Sequence, residues 1–554
     1  MDFKCCVSKR RAHLLLVPLD SQSHFPTFRQ LLYYLADKRY NGVIVTVITT
    51  QQRVQELSKL RSRGDFNGLD LRLQEVFGKS RIAPNVITKV SAYCEQRKQE
   101  FKTYQEKLVQ SKNDAESPSC IISDMFLCWL QETAEKLEIP WYPVIATASW
   151  YTLSCMKGPD MKREGFFQLN TSEKINLAVP GLEFSRSSDF PSDVLELEDF
   201  FTCHSQRLAK ACAILVNTAE ELDAPTGGLN GLRLQVEKMA MAMAGHRQVH
   251  LSKLFFAKFT PKPGKVGSIF PQPLITDLIP FHIKLQSLVL VLILRSEFPS
   301  LPWKYHHQHR PVPLQVPRVF AVGPMVSIPG FSSVPQSKLT PLQGFNDHTF
   351  ECLQWLDKQP TSSVLYIAFG SVIEISSEET VELAYALEIT NVKFLWVLKA
   401  SSSTPLSKLL PPGFEARTKK RGFTTSWAPQ TQILMHASIA GFMTHCGWNS
   451  ILEGLCSGVS FIAWPLANDE QQNARFLVDV VKVGLEIKNA GEDNSQIKRQ
   501  ELGRVIQLLM YEKEGQEAKR NSLRMKKLVE AAVRDGGSSY QALHSFLYEI
   551  TVGK

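Results

Sequence analysis

The sequence predicts an α/β protein built as two parallel-sheet domains that face each other across a cleft. Three observations predict it. The chain has 554 residues, more than a single core of ordinary size serves. Short apolar, β-branched runs alternate with amphipathic stretches, the pattern of strands buried on both faces and covered by helices. The alternation then starts again after a stretch rich in Pro, Ser and Gly over residues 329–345, which reads as an interdomain linker.

In the first series, Ala12–Pro18 reads as a buried strand and Phe25–Ala36 as the helix that follows. Gly42–Thr49 (GVIVTVIT) is a second strand, rich in β-branched residues. Cys120–Ser123, Phe126–Leu137 and Tyr142–Ala146 repeat strand, helix, strand, and Ala213–Asn217 is another strand. In the second series Ser363–Phe369 and Lys393–Leu398 are strands with a helix from about Ser377 to Leu387 between them; Gly441–Thr444 and Ser460–Ala463 follow, each leading into a helix. Two Rossmann-like domains are the economical reading, with ligands at the carboxyl ends of the strands. We divide the chain into a first domain over 1–330, a second over 331–525, and C-terminal helices over 526–554 that pack back toward the first domain.

Residues 236–315 break the pattern. They contain a MAMAMAG run, several prolines, His306-His307-Gln308-His309 and the isolated apolar run Leu288–Leu294. Such a length is far outside ordinary connections. The segment reads as an insert, and an intron translated in frame would look like this. Residues 236–310 also hold ten Lys+Arg against three Asp+Glu, so seven of the nine net positive charges sit there. A basic insert is a weaker signal than a basic face on a folded domain, so no nucleic-acid partner is expected.

Hydrophobic content of 44% and charged content of 21% fit a soluble globular protein. The eleven cysteines are odd in number, scattered and without CxxC pairing, which argues against a disulfide framework or a zinc ribbon and for a reducing, cytoplasmic setting. The basic N-terminus carries only about seven apolar residues, too few for a secretory signal. Leu288–Leu294 falls far short of a membrane span, so no stable membrane insertion is expected. No metal is expected either: HExxH is absent, and the His-rich tetrad lies in the insert.

Residues 427–473 carry the chemistry. Phe442-Met-Thr444 ends a strand and Gly447-Trp448-Asn449-Ser450 opens a helix, with His445 at the junction. A helix start offers free N–H groups and the positive end of a dipole, which suits a phosphate. Asn449 and Ser450 add side-chain donors, and Glu453, a turn deeper, has acceptors for a pair of ribose hydroxyls. Trp427 offers a flat surface for a base. Each residue also has a plain structural reading: a core tryptophan, a helix cap, a structural histidine. The ordered set in one stretch is what favours the ligand site.

That stretch closely resembles the signature of plant secondary-product UDP-glycosyltransferases, whose GT-B fold has two facing Rossmann-like domains. The match is ungapped and takes in Trp427, Ala428, Pro429, Gln430, His436, His445, Cys446, Gly447, Trp448, Asn449, Ser450, Glu453, Gly458, Val459, Trp464, Pro465 and Asp469. The resemblance implies that Trp427 stacks on uracil, that Gln430 and Glu453 hold the nucleoside, and that Ala428 belongs to the same UDP-sugar site. It places His445, Gly447, Asn449 and Ser450 at the diphosphate, and Trp448, Asp469 and Glu470 at the sugar. Ser371, in AFGS, resembles a further donor-phosphate contact. Two departures stand out. Ser460 replaces the usual Pro, and Glu470 replaces the Gln that ordinarily follows the acidic residue, so it accepts hydrogen bonds but does not donate as an amide does.

The first half resembles the family as well. HLLLVPLDSQSH is similar to its opening strand and loop, with His24 as the family's general base and Ser23 where a Gly is usual; His13 reads as structural. A histidine suits proton abstraction near neutral pH. Asp124 resembles its carboxylate partner and is equally placed to cap the helix from Phe126. The resemblance implies a monomeric, metal-independent, inverting transfer of a sugar, glucose by preference, from a UDP-sugar to a hydroxyl of a small lipophilic acceptor such as a flavonoid, phenolic, terpenoid or hormone. Rival readings are a UDP-sugar epimerase on the same architecture and, given the insert, an inactive UDP-binding protein or misassembled gene product.

Overall fold

The computed structural model describes residues 11–78, 90–112, 114, 116–164, 178–179, 182–186, 189–190, 194, 197–256, 316–326, 328, 347–370, 375–398, 409–467, 469–487 and 497–552, with backbone only at 244–256 and 347–350. The linker over 329–345 lies outside these residues, as do Leu288–Leu294, the His-rich tetrad and Ser371.

The first half contains β1 (His13–Val17), α1 (Phe25–Leu35), β2 (Ile44–Thr50), α2 (Gln51–Ser62), β3 (Asp70–Phe77), α3 (Val90–Gln110), β4 (Cys120–Asp124), α4 (Leu130–Leu137), β5 (Trp141–Ile145) and α5 (Ser149–Arg163). A short antiparallel pair, β6 (Ala178–Val179) and β7 (Leu182–Arg186), precedes α6 (Glu198–Leu208), β8 (Ala213–Val216), α7 (Glu220–Asp223), α8 (Gly228–Phe256) and β9 (Arg318–Ala321). Seven of these strands form one sheet in the order β3-β2-β1-β4-β5-β8-β9, every pair parallel.

The second half contains α9 (Asp347–Asp357), β10 (Val364–Ala368), α10 (Ser377–Thr390), β11 (Lys393–Val397), α11 (Phe414–Thr418), β12 (Gly422–Thr425), α12 (Gln430–Leu434), β13 (Ile439–Thr444), α13 (Trp448–Ser457), β14 (Ser460–Ala463), α14 (Glu470–Arg475), β15 (Gly484–Glu486), α15 (Arg499–Tyr511), α16 (Lys513–Val533) and α17 (Ser538–Thr551). Its sheet runs β12-β11-β10-β13-β14-β15, again all parallel.

Both sheets reverse their strand order at one place, between β1 and β4 in the first and between β10 and β13 in the second. Crossovers on the two sides of such a point depart in opposite directions and leave a crevice at the strand ends. The registers Val17↔Ser123 and Ala368↔Thr444 therefore bring the loop after β1 beside Asp124, and the loop after β10 beside His445. One apolar cluster passes between the sheets through Trp150, Trp448 and Phe476, with the rings of Trp150 and Trp448 5.0 Å apart, edge to face.

Three sequence readings need correction. Phe126–Leu137 is not one helix: a 3₁₀ turn over Met125–Leu127, capped by Asp124, precedes α4. The insert does not begin at 236, because α8 buries Leu229, Leu232, Val236 and Ala240. Contacts divide the chain into a unit of Met1–Ala240 with Val316–Lys554 and a unit of Met241–Gln315, of which only the continuation of α8 is described. The boundary at 525/526 falls inside α16, which is still bound to the second domain through Lys519 Nζ to the Gly458 carbonyl (3.0 Å). It is α17 that packs Leu543, Phe546, Leu547 and Ile550 into a cluster with Leu14, Leu16 and Val45 of the first sheet. The strand β3 and the edge strand β9 were not foreseen. Polar residues interrupt DLRLQEVF, and RVFA is too short to signal a strand by pattern alone.

Candidate active site

His24 closes the loop after β1 and is the N-cap of α1, where Pro26 in the first turn requires no N–H partner. Its backbone N–H donates to Ser21 Oγ (3.1 Å). Nδ1 stands 2.6 Å from Asp124 Oδ2, and both residues are buried. The other oxygen, Asp124 Oδ1, accepts the Phe126 N–H at 3.0 Å. Asp124 therefore fills both roles its position allowed, partner to the imidazole and cap of the following turn. With Nδ1 engaged, Nε2 has no hydrogen-bond partner among the described residues and is the nitrogen left for proton transfer.

Across the crevice, β13 delivers His445 and Cys446, and α13 begins at Trp448 with Gly447 as an N-cap that makes no side-chain cap bond. The first amides of that helix are thus left for an anion. Two glycines make room for His445. A Cβ on Gly370, which holds φ +73°, would come within 2.6 Å of the ring, and one on Gly447 within 2.5 Å of Nε2. Asn449 donates its side-chain amide to the Ser23 carbonyl, one residue before His24.

The Gln430 amide donates to Glu453 Oε2 (2.7 Å) and Ser450 Oγ (3.1 Å), and its oxygen accepts from Tyr366 Oη (3.2 Å). Burial pushes the Glu453 carboxyl up to about 7, against the pull of the Gln430 hydrogen bond. Gln430, Ser450 and Glu453 thus form one network, with the Ser450 hydroxyl turned to Gln430 rather than standing free at the helix start. Trp427 is 37% exposed, an open aromatic face beside the buried Ala428.

The Trp448 side chain is not open to a sugar. Its indole N–H donates to the Asn217 carbonyl (2.9 Å) and the ring is 4% exposed, wedged against Trp150. Only its backbone remains for a ligand, because the large ring is what joins the two halves. Glu470 also differs from expectation. Its Oε2 accepts the N–H groups of Leu466 and Ala467, each at 2.8 Å, so it ties down the loop before α14. Burial, with Asp469 beside it, pushes its carboxyl up to about 8, against the pull of those two backbone N–H groups. Asp469 is the N-cap of α14 and accepts from Asn473 Nδ2 at 2.7 Å; burial raises its carboxyl too.

The Glu470 shift gives a stability prediction. A carboxyl raised from near 4.5 to about 8 on folding stabilises the fold only while protonated, so the wild type loses that contribution as pH rises across this window. Glu470→Gln does not titrate. Its melting temperature should exceed that of the wild type at pH 9, and the gap should close toward pH 5. A gap of constant size across that range would refute the assignment.

The residues that sequence reasoning missed are those spanning the two halves. Gln472 Nε2 donates to Ser154 Oγ and Ser185 Oγ (3.0 Å each), Asn473 Oδ1 accepts from Trp150 Nε1 (2.9 Å), and Arg475 pairs with Asp189 (3.2 Å). Their one legible signal was a run of polar residues on a helix that the fold buries. Among the described residues no group of three or more His, Cys, Asp or Glu gathers as metal ligands do, and no helix is long and apolar enough to cross a membrane.

Residues 342–502 match the model of a family described as UDP-glucoronosyl and UDP-glucosyl transferase. UDP-glycosyltransferase 72B1 of Arabidopsis thaliana is 42% identical over 247 residues, 42% of this chain and 48% of that protein. The hydroquinone glucosyltransferase of Rauvolfia serpentina is 42% identical over 244 residues, 41% of this chain and 48% of that protein. The chain thus spans about half the length of the curated relatives it matches. In fold it is similar to Phytolacca americana UGT2 complexed with UDP-2fluoro-glucose and pterostilbene, at a TM-score of 0.66 and 22% identity, covering 97% of this chain and 99% of that one. It is similar also to a UDP-glucose: anthocyanidin 3-O-glucosyltransferase in complex with UDP, at a TM-score of 0.68 and 22% identity over 98% and 99% of the two chains.

Proposed function

We propose that this chain belongs to the UDP-glycosyltransferase family and transfers a sugar from a UDP-sugar to a hydroxyl of a small lipophilic acceptor with inversion at the anomeric carbon. The observation that carries the reading is the buried His24–Asp124 pair at 2.6 Å, set opposite the open start of α13. His24 Nε2 takes the acceptor proton as the acceptor oxygen attacks the anomeric carbon. Asp124 holds the ring's orientation and stabilises the imidazolium that forms. The anomeric carbon–oxygen bond to UDP breaks on the opposite face. The amides of Trp448, Asn449 and Ser450, with His445, receive the charge that develops on the diphosphate, the role a metal plays elsewhere. Trp427 stacks the uracil, the Gln430–Glu453 network holds the nucleoside, and Asp469 meets the sugar. None of the nine described cysteines is joined in a disulfide, in keeping with a reducing, cytosolic setting.

The test is incubation with UDP-glucose and a panel of phenolics, flavonoids and terpenoids in EDTA, with the anomeric configuration of the product read by NMR. A β-glucoside from the α-linked donor is expected. Conversion of the donor sugar without an acceptor would instead identify an epimerase, and UDP binding without product on any acceptor an inactive relative. In the same assay Glu470→Gln should use UDP-glucose as well as the wild type or better, since the amide keeps an acceptor for the loop and a donor for a sugar hydroxyl. A loss of glucose transfer in that variant, with Gln471→Ala equally damaging, would shift the register of the sugar contacts by one residue.

We further propose that residues 241–315 are dispensable. Val236 and Ala240 are the last buried core residues of α8 before the segment, and β9 pairs with β8 after it, so neither contact draws on residues 241–315. Replacing Met241–Gln315 by a short Gly/Ser linker should leave the melting temperature and UDP binding unchanged. Deleting from Val236 should destabilise the protein. Loss of UDP binding in the shorter deletion would make the segment a working part.

A further inference from the structure

The 3₁₀ turn after β4 is held from both ends. Its Phe126 N–H is taken by Asp124 Oδ1 (3.0 Å), and its Phe126 carbonyl faces His204 Nε2 at 3.1 Å. His204 comes from α6, is 4% exposed, and sits among the rings of Phe126, Phe200 and Phe201 at 6.1, 4.0 and 6.3 Å. The Phe126 ring in turn lies 5.5 Å from the ring of His24. A continuous chain therefore runs from His204 through the Phe126 peptide to Asp124 and on to His24 Nδ1.

We propose that His204 is a positioning residue: by donating from Nε2 to the Phe126 carbonyl it fixes the turn that aims Asp124 at His24. This rests on the proposed role of His24.

The chemistry of the ring supports the assignment. Burial pushes the His204 imidazole down to about 4, so it is neutral and has a single N–H for two carbonyls, those of Phe126 and of Phe200, the latter 2.9 Å from Nδ1. The Phe200 carbonyl stands four residues before His204 within α6, where the helix's own ladder supplies a donor. Among the described residues the Phe126 carbonyl meets, besides His204, the thiol of Cys94 at 3.1 Å, a weak donor. The proton on Nε2 thus satisfies the carbonyl that has the greater need. Without that donor a buried carbonyl is left poorly paired, and the turn relaxes toward whatever donor it finds.

The test compares three substitutions. His204→Phe fills the aromatic niche without a donor, His204→Gln places an amide N–H near the position of Nε2, and His204→Asn places one near Nδ1. His204→Phe should lower kcat about tenfold, the scale of one buried hydrogen bond, with KM for UDP-glucose unchanged. His204→Gln should return to within about threefold of the wild type. A readout independent of turnover is the downfield proton on His24 Nδ1, assigned by its loss in His24→Ala. It should broaden or vanish in His204→Phe and persist in His204→Gln. The proposal is overturned if His204→Phe retains both kcat and that proton, or if His204→Asn restores them as well as His204→Gln does. Should His204→Phe not fold, His204→Met, a flexible filler without a donor, takes its place with the same outcomes. A wild type that makes no glycoside refutes the proposed transfer, while the His24 proton still decides the role of His204.

Discussion

His24→Ala should lower kcat for glycoside formation by about 10²-fold or more, the contribution expected of a general base, while UDP binding stays near that of the wild type. The separation follows from the fold. His24 and Asp124 stand at the switch point of the first sheet, whereas the helix start proposed to hold the diphosphate belongs to the second. Asp124→Asn is the sharper companion. The amide keeps an oxygen for the Phe126 N–H, so the turn survives, but the stabilisation of the imidazolium is lost. Its kcat should therefore fall toward that of His24→Ala with little change in melting temperature. Single-turnover kinetics with UDP-glucose, alongside calorimetric titration with UDP, would check both. Near-normal turnover of His24→Ala would remove His24 from the chemistry, and equal loss of UDP binding would show that the two sides of the crevice are not separable.

How much of this was legible in the sequence varies with the kind of force involved. The parallel sheets were legible because strands such as IVTVITT and VLYIA are buried on every residue, and such runs have few other readings. His24 and Asp124 were legible as individual residues through the resemblance. Their approach to 2.6 Å depended on a strand order, β1 beside β4, that no local pattern encodes. The burial of the Trp448 ring was not legible because a tryptophan inside a ligand motif is visible, while the neighbour that buries it, Trp150, lies 298 positions away in the chain and is revealed only by the packing. The anchoring of Glu470 was hidden for a different reason: its two backbone partners, Leu466 and Ala467, and the burial that raises its carboxyl with Asp469 alongside are set by how the fold closes the loop before α14. The start of the insert was placed a few residues early because MAMAMAG looks unlike a core helix by composition, although Val236 and Ala240 just before and within it face the core.

Asn473→Ala should be the most destabilising single change among the polar residues that join the two halves. Asn473 is fully buried and uses its whole amide: Oδ1 accepts from Trp150 Nε1 (2.9 Å), and Nδ2 donates to the Cys446 carbonyl (3.0 Å) and to Asp469 Oδ2 (2.7 Å). Truncation leaves an indole N–H, a carbonyl and a carboxylate oxygen in a site that excludes water. At about 1–3 kcal/mol for each unsatisfied group, discounted for relaxation, the loss should be roughly 3–5 kcal/mol, measured by denaturant unfolding. Trp150→Phe removes only the donor and leaves Asn473 with its other two partners, so it should cost distinctly less. The double variant should lose less than the sum of the two, because the indole–amide bond is counted in both. A functional effect accompanies the structural one. Cys446 immediately precedes the helix start proposed for the diphosphate and Asp469 is proposed to meet the sugar, so a single amide sets the spacing between two parts of the donor site. KM for UDP-glucose should rise in Asn473→Ala even at temperatures where the variant is fully folded. A loss under 1 kcal/mol with KM unchanged would mean that the apolar packing of Trp150, Trp448 and Phe476 alone holds the halves in register.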